Sequence, residues 1–170
     1  MRLIHLVVPI AFAVSLGVPR EAEARRLDST TWALTGTERL KLSGEKAQTN
    51  ALPATALTVD AVSRMVLANT DFTLSGAYSD RPRRHFTAKP DAATIEGTRA
   101  HLIGVVMSEL GATEVRVRSL RFTMSGNISK DGQSISVRCR AVMAGRARVD
   151  GRWGSGVLTD TLSFTGYPGM

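Results

Sequence analysis

The chain has 170 residues, 22 Lys and Arg against 15 Asp and Glu, a formal net charge of +7 and a single cysteine. One cysteine excludes an intramolecular disulfide, so packing of a core must hold the fold. The length excludes two sizeable domains once an expected leader is set aside.

That leader is read at 1–24. Arg2 precedes an apolar run from Leu3 to Val18, and Ala22-Glu23-Ala24 supplies the small-x-small pattern of a signal-peptidase site. The run is short for a membrane span and is interrupted by His5, Pro9 and Ser15. No cysteine follows it, which closes the lipoprotein route. A single domain is therefore expected at 25–170, in the periplasm or outside the cell. The leader's charges cancel, so the excess stays with the mature chain. Between Ala112 and Arg152 there are eight Arg and one Lys against Glu114, Asp131 and Asp150. An exported location argues against nucleic acid as a partner. The polyanions left are envelope phosphates, lipid headgroups or acidic glycans, and the alternative is a solvated face.

From Thr31 to Ser43 the chain alternates, with Trp32, Leu34, Gly36, Leu40 and Leu42 on one face, which predicts a long first strand. Glu38 has the parity of the apolar side. It is a ligand-binding group, a member of a buried ion pair, or the mark of a bulge at Gly36-Thr37 that flips the register. Turn chemistry fills Gly44 to Pro53, and a further short strand or two is expected between Ala56 and Ala68.

A stretch then occurs that is used twice: Phe72-Thr-Leu-Ser-Gly-Ala-Tyr-Ser-Asp80, and later Phe122-Thr-Met-Ser-Gly-Asn-Ile-Ser-Lys130. Each copy alternates with period two, runs into a turn and is followed by a second alternating run, which predicts two hairpins. Gly36, Gly76 and Gly126 hold inward positions, the pattern of a sheet that curls. Between the hairpins, Pro90 and Asp91 announce a helix over about 92–110, with Asp91 as N-cap, Gly111 as C-cap and a stripe of Ile95, Leu102, Ile103, Val106, Met107 and Leu110.

Val115 and Val117 have odd parity and Leu120 to Ile128 even parity, so a bulge is required near Arg118-Ser119. The return run puts Ile135, Val137, Cys139, Ala141 and Met143 inside. Two last strands are expected at Arg146–Trp153 and Val157–Thr165, joined through Gly154-Ser-Gly156. The chain is thus mainly β, an antiparallel curled sheet or barrel of eight or nine strands with one helix.

A Trp near the start of a glycine-bearing first strand (Trp32-Ala-Leu-Thr-Gly36), repeated Phe-Thr-x-Ser-Gly hairpins, one helix and a Lys-Asp-Gly hairpin resemble small secreted bacterial lipocalin-like or calycin-like barrels. The resemblance implies an interior able to take a small apolar or amphipathic molecule or a lipid. The inward face offered for it comprises Trp32, Leu34, Glu38, Phe72, Leu74, Phe122, Met124 and Trp153, residues that equally serve as core filling. A second reading uses Arg121, Arg138, Arg140, Arg146, Arg148 and Arg152 as a face for an anionic envelope surface. A third is a small outer-membrane barrel, which needs an apolar outer belt with aromatic girdles.

Catalytic signatures are absent from the sequence: it has neither a Gly-x-Ser-x-Gly elbow nor a phosphate-cradling glycine loop ahead of a helix. His85 and His101 have no partner at ligand spacing, so neither a metal nor a cofactor is expected, and the function is read as non-enzymatic. Cys139 reads as a small buried apolar side chain.

Overall fold

The structure, a computed structural model, describes residues 31–60 and 62–169. The expected leader lies outside the described residues. Nine strands and one α-helix follow in chain order: β1 (Trp32–Leu42), β2 (Gln48–Ala51), β3 (Thr55–Val59), β4 (Arg64–Ala68), β5 (Thr73–Arg81), β6 (His85–Pro90), α1 (Ala92–Leu110), β7 (Glu114–Ile128), β8 (Ile135–Val149) and β9 (Arg152–Pro168). All pairings are antiparallel. The sheet runs β1-β3-β4-β5-β6-β7-β8-β9 and closes through β9 onto β1, with β2 as an extra strand beside β1. The molecule is a closed eight-stranded barrel carrying one helix.

Strand β1 holds the closure. Along one edge it pairs with β9 without a break from Trp32↔Pro168 to Leu42↔Leu158. Its other edge is shared between β3, at Trp32–Leu34, and β2, at Thr37–Leu40. The intervening Leu52-Pro53-Ala54 carries no strand because proline has no N–H to give the ladder. Gly44 to Pro53 was expected as turn alone; instead it forms a hairpin whose β2 residues are all exposed, which is why no apolar alternation marked it.

The glycines on the inward face make room for aromatic rings from the strand alongside. Phe164 lies over Gly36, its partner across β1–β9, and Phe86 lies over Gly126, its partner across β6–β7. A Cβ on Gly126 would stand 2.2 Å from the Phe86 ring and 2.3 Å from the Ser136 carbonyl oxygen. The strands can thus curl tightly around rings that a side chain at these positions would displace. This half of the barrel is filled, by Trp32, Leu34, Leu57, Met65, Leu67, Phe86, Met124, Val137, Phe164 and their neighbours.

The other half is splayed. Strand β6 meets β7 only over His85–Ala88, so Glu114–Thr123 of β7 has no strand on that side, and Thr73–Ser75 of β5 is likewise left beyond the end of β6. Helix α1 lies across this gap. Its N-terminus is fixed by hydrogen bonds that continue the β5 ladder: Asp91 N donates to Ser75 O (3.0 Å), Ser75 N to Thr94 Oγ1 (2.7 Å) and Thr94 Oγ1 to Ser75 O (2.9 Å). Asp91 caps the helix by accepting from Thr94 N at 2.8 Å. At the far end Gly111 has φ 61°, and Ala112 N closes a Schellman bond to Met107 O at 3.2 Å.

The buried face of α1 is Thr94, Thr98, Leu102 and Val106, a stripe of four-residue steps whose first half is threonine. Of the expected apolar stripe, Leu102 and Val106 are buried and Ile103 and Leu110 pack beside them, whereas Met107 is exposed and the Thr94 hydroxyl serves where the helix meets the Ser75 backbone. Leu102 and Val106 seal a second core with Ala112, Ala141, Met143 and Leu158. The bulge falls in β7 between Val117 and Ser119, where the parity change required it.

The last turn differs from expectation. β8 and β9 are long unbroken strands joined at Asp150-Gly151, with φ 48° and 76°, and Gly154-Ser-Gly156 lies inside β9. An Asp-Gly pair accepts two positive φ values, the geometry that a two-residue hairpin turn needs.

Candidate functional site

Three titratable side chains, far apart in the chain, converge beneath α1. Glu38 projects inward from β1; the β1–β9 register is unbroken around it, so the bulge expected as one explanation of its parity is not there. On β9 its inward diagonal neighbour is Asp160, since Glu38 opposes Leu162 and Leu40 opposes Asp160. His101 comes down from the helix, its Nε2 3.3 Å from Glu38 Oε1. One ligand atom from each of the three lies within 4.8 Å of the others. Asn50 of β2 reaches the second Glu38 oxygen with its Nδ2 at 3.5 Å.

Their electrostatics differ. The hydrogen bond from His101, against the opposing effect of burial, holds the Glu38 carboxyl below its usual range; the same bond raises the imidazole. Asp160 is only 6% exposed, and its Oδ1 is buried without a hydrogen-bond partner. Desolvation, with the charge of Glu38 adding to it, pushes Asp160 up to about 6. A carboxyl raised in this way stabilises the native fold below its ordinary range and loses that contribution as pH rises through the folded value.

These groups form the polar end of a cavity of about 330 Å³, whose apolar side is Phe72, Leu74 and Leu162 and whose helix side is Thr94, Thr98 and His101. Of the expected inward residues, Glu38, Phe72 and Leu74 therefore meet at one cavity. Trp32, Leu34 and Met124 are buried in the filled half. Phe122 packs half-buried between the two cores. Trp153 lies apart from these: it opposes Arg148 across the β8–β9 pair, has the Arg116 and Arg146 guanidinium carbons 4.7 and 5.6 Å from its ring centroid, and lines a different concavity at the splayed end.

A second concavity opens at the splayed end. A cleft of about 350 Å³ runs between the C-terminal half of α1 and the tips of β7 to β9, lined by Leu42, Val106, Leu110, Val117, Met143 and Trp153, with Arg146, Arg152 and Glu45 as its charged lining. It shares Leu42, Val106, Leu110 and Leu158 with a groove of about 650 Å³ between the helix and the β1–β2 hairpin.

The chain matches no protein-family model and no curated protein.

The outer wall adds a third feature. Arg39 and Arg140 both lie opposite Thr161, one on each side, and Lys41 and Arg138 extend the two rows around a shallow cleft of about 610 Å³. Arg121 lies outward beside them on β7, opposite Val142. Arg146 and Arg148 sit on β8, on the same strand as Arg138 and Arg140 and not on the next, and Arg152 begins β9. Among the described residues, the outward positions of β1, β8 and β9 carry no carboxylate. Arg39 and Lys41 escaped the sequence reading because they belong to the first strand; only the closure of β9 onto β1 brings them to the second-half arginines.

Cys139 is almost wholly buried and its thiol is pushed up to about 12 by desolvation, which makes it a packing residue.

Proposed function

We propose that the protein is an exported, non-enzymatic, lipocalin-like barrel that binds an anionic amphiphile, a fatty acid or related single-chain lipid. The observation that carries this is the cleft at the splayed end: apolar side chains inside and, at its polar margin, two arginines, Arg146 and Arg152, against one carboxylate, Glu45. Its size falls within the range of about 300–1,000 Å³ for small-molecule sites. Burying an acyl chain there is favourable by about 25 cal/mol per Å² of apolar surface removed from water. A carboxylate or phosphate head reaching the margin gains charge-assisted hydrogen bonds from the guanidinium groups.

The expected result is saturable uptake of a fluorescent fatty acid, with the matching fatty alcohol bound roughly tenfold more weakly, a difference of about 1.4 kcal/mol. Val117→Glu should abolish uptake of both while circular dichroism stays unchanged. Arg146→Ala with Arg152→Ala should erase the preference for the acid and leave the alcohol's affinity alone. Equal loss of acid and alcohol in the arginine variant, or uptake undiminished in Val117→Glu, would remove this reading.

A second reading rests on the Arg39–Thr161–Arg140 row. This wall meets an anionic envelope surface, where each Lys or Arg near the membrane contributes about 1 kcal/mol. A membrane-spanning barrel would need an apolar belt where these arginines lie. Binding to phosphatidylglycerol vesicles should be strong at low salt, absent with phosphatidylcholine and lost above roughly 0.3 M salt, where screening contracts below the width of the wall. Arg39→Glu with Arg140→Glu should eliminate it at every salt concentration.

A further inference from the structure

The amphiphile cleft makes no use of the Glu38, His101 and Asp160 cluster, which lies in a separate cavity at the N-terminal half of α1. The geometry points to a divalent-cation site of the zinc class, made by Glu38 Oε1, His101 Nε2 and one Asp160 carboxylate oxygen, with a fourth position open to that cavity.

Three observations converge on it. The ligand atoms lie within 4.8 Å of one another, and the His101 Nε2 to Glu38 Oε1 distance is already 3.3 Å. Tetrahedral zinc with bonds of about 2.0–2.2 Å sets its ligands about 3.3–3.5 Å apart, so the ion asks only that Asp160 close by roughly an ångström. Asp160 Oδ1 is buried with no hydrogen-bond partner, although Ser, Thr, Asn and backbone donors are abundant in the fold. An interior oxygen left open in this way, unlike the buried Trp32 indole nitrogen at the barrel's filled end, faces a cavity from which an ion or water can pair it.

The donor set narrows the ion. One imidazole nitrogen and two carboxylate oxygens suit zinc, manganese or cobalt; thiolate-loving ions lack sulfur here, and calcium and magnesium favour all-oxygen shells. Asn50 holds the second Glu38 oxygen, which orients the first toward the ion, the usual task of a group one layer behind a ligand. Binding displaces the proton held between His101 Nε2 and Glu38, which passes to solvent, so charge and atoms balance without any redox partner. Three protein ligands and an open fourth position facing Phe72, Leu74 and Leu162 leave room for water or a small anionic or carbonyl-bearing molecule.

The site also has a structural consequence. Glu38 and Asp160 stand on adjacent, fully paired strands, whereas His101 belongs to the helix that lies across the barrel's gap. A bound ion would tie α1 to the wall at its middle.

The test uses tag-free protein stripped with a chelator. Calorimetric titration with zinc chloride should give one equivalent at micromolar or tighter affinity, with magnesium and calcium giving none. Cobalt chloride should produce the visible absorption bands of a four-coordinate site. Zinc at about a hundredfold over its dissociation constant should raise Tm by several degrees and slow amide exchange in α1. Asp160→Asn should weaken zinc more than roughly a hundredfold with the far-ultraviolet dichroism intact. Glu38→Gln should do the same and stands in if the first variant misfolds. His85→Ala, which alters the histidine on β6, should bind as the parent does. Absence of stoichiometric zinc uptake by the parent overturns the site, as does full zinc affinity or an unchanged cobalt spectrum in both carboxyl variants.

Discussion

Gly126→Ala is expected to cost at least about 3 kcal/mol, a single methyl group removing a large share of a stability of about 5–15 kcal/mol. The new Cβ would meet Phe86 Cζ at 2.2 Å and Ser136 O at 2.3 Å. The ring could leave, but Phe86 is fully buried, and vacating such a site costs about 3–5 kcal/mol. Moving the ring does not help with Ser136, whose carbonyl belongs to the backbone of β8. The strands would have to part where β6, β7 and β8 run side by side, which also loosens the packing around Met124 and Val137. Thermal unfolding should show Tm lower by roughly 10 °C or more. Gly104→Ala is the control. Gly104 is an exposed helical residue with nothing within 4 Å of an added Cβ, and alanine there should stabilise by about 0.5–1 kcal/mol. Equal behaviour of the two variants would show that the inward glycine is not seating the ring.

The same contrast explains what could be read from sequence and what could not. Period two exposed β1, β5 and β7, and the inward glycines announced the curl, because both are properties of a single strand. The bulge beside Arg118 was legible for the same reason: two runs of opposite parity leave no other solution. Asp91 and Gly111 bound the helix because caps are local chemistry. Three features escaped. Strand β2 is exposed on every residue, so it carries no apolar signal. The turn at Asp150-Gly151 was passed over in favour of the glycines at 154 and 156. With β8 and β9 joined at 150–151, four residues before Gly154, Trp153 falls on β9 instead of ending the strand before it, and pairs with Arg148.

The cluster beneath the helix was hidden for a deeper reason. His101 has no ligand-like neighbour within its own segment, and Glu38 and Asp160 become adjacent only when β9 closes onto β1. What sequence did offer was Glu38 itself, one acidic residue on an apolar face. That breach of alternation pointed to the site without naming its partners, as breaches of local rules at functional places are expected to do.

Helix α1 carries His101 to one cavity and Val106 and Leu110 to the other, so the junction at its N-terminus governs both. Asp91→Ala is expected to destabilise by about 2 kcal/mol at pH 7. The carboxylate caps Thr94 N at 2.8 Å, accepts from the Ser75 hydroxyl and lies 3.3 Å from Arg64 Nη2. Removing a cap alone costs about 0.5–2 kcal/mol. The Ser75 hydroxyl and the Arg64 guanidinium lose their acceptor as well. These same contacts, the Ser75 hydroxyl first and the Thr94 amide next, bring the Asp91 carboxyl down to about 2 from an ordinary 3.8. A depressed carboxyl stabilises the native state fully above its unfolded value and loses that contribution as pH falls through the folded one. The gap between parent and Asp91→Ala should therefore be constant from pH 7 to about 5, shrink below about 4 and be nearly closed at about 2. Asp91→Asn keeps a capping oxygen and should fall between the two. Thr94→Val isolates the other half of the junction. It preserves shape but leaves the Ser75 N–H and C=O without the hydroxyl that bridges them, at about 1–3 kcal/mol for a buried group left unpaired. Unlike the Asp91 effect, this loss involves no titrating group and should be independent of pH. Chemical denaturation of the three variants across pH 2 to 7 separates the contributions. A gap for Asp91→Ala that persists unchanged at pH 2 would mean that packing, and not the ionised cap, anchors the helix.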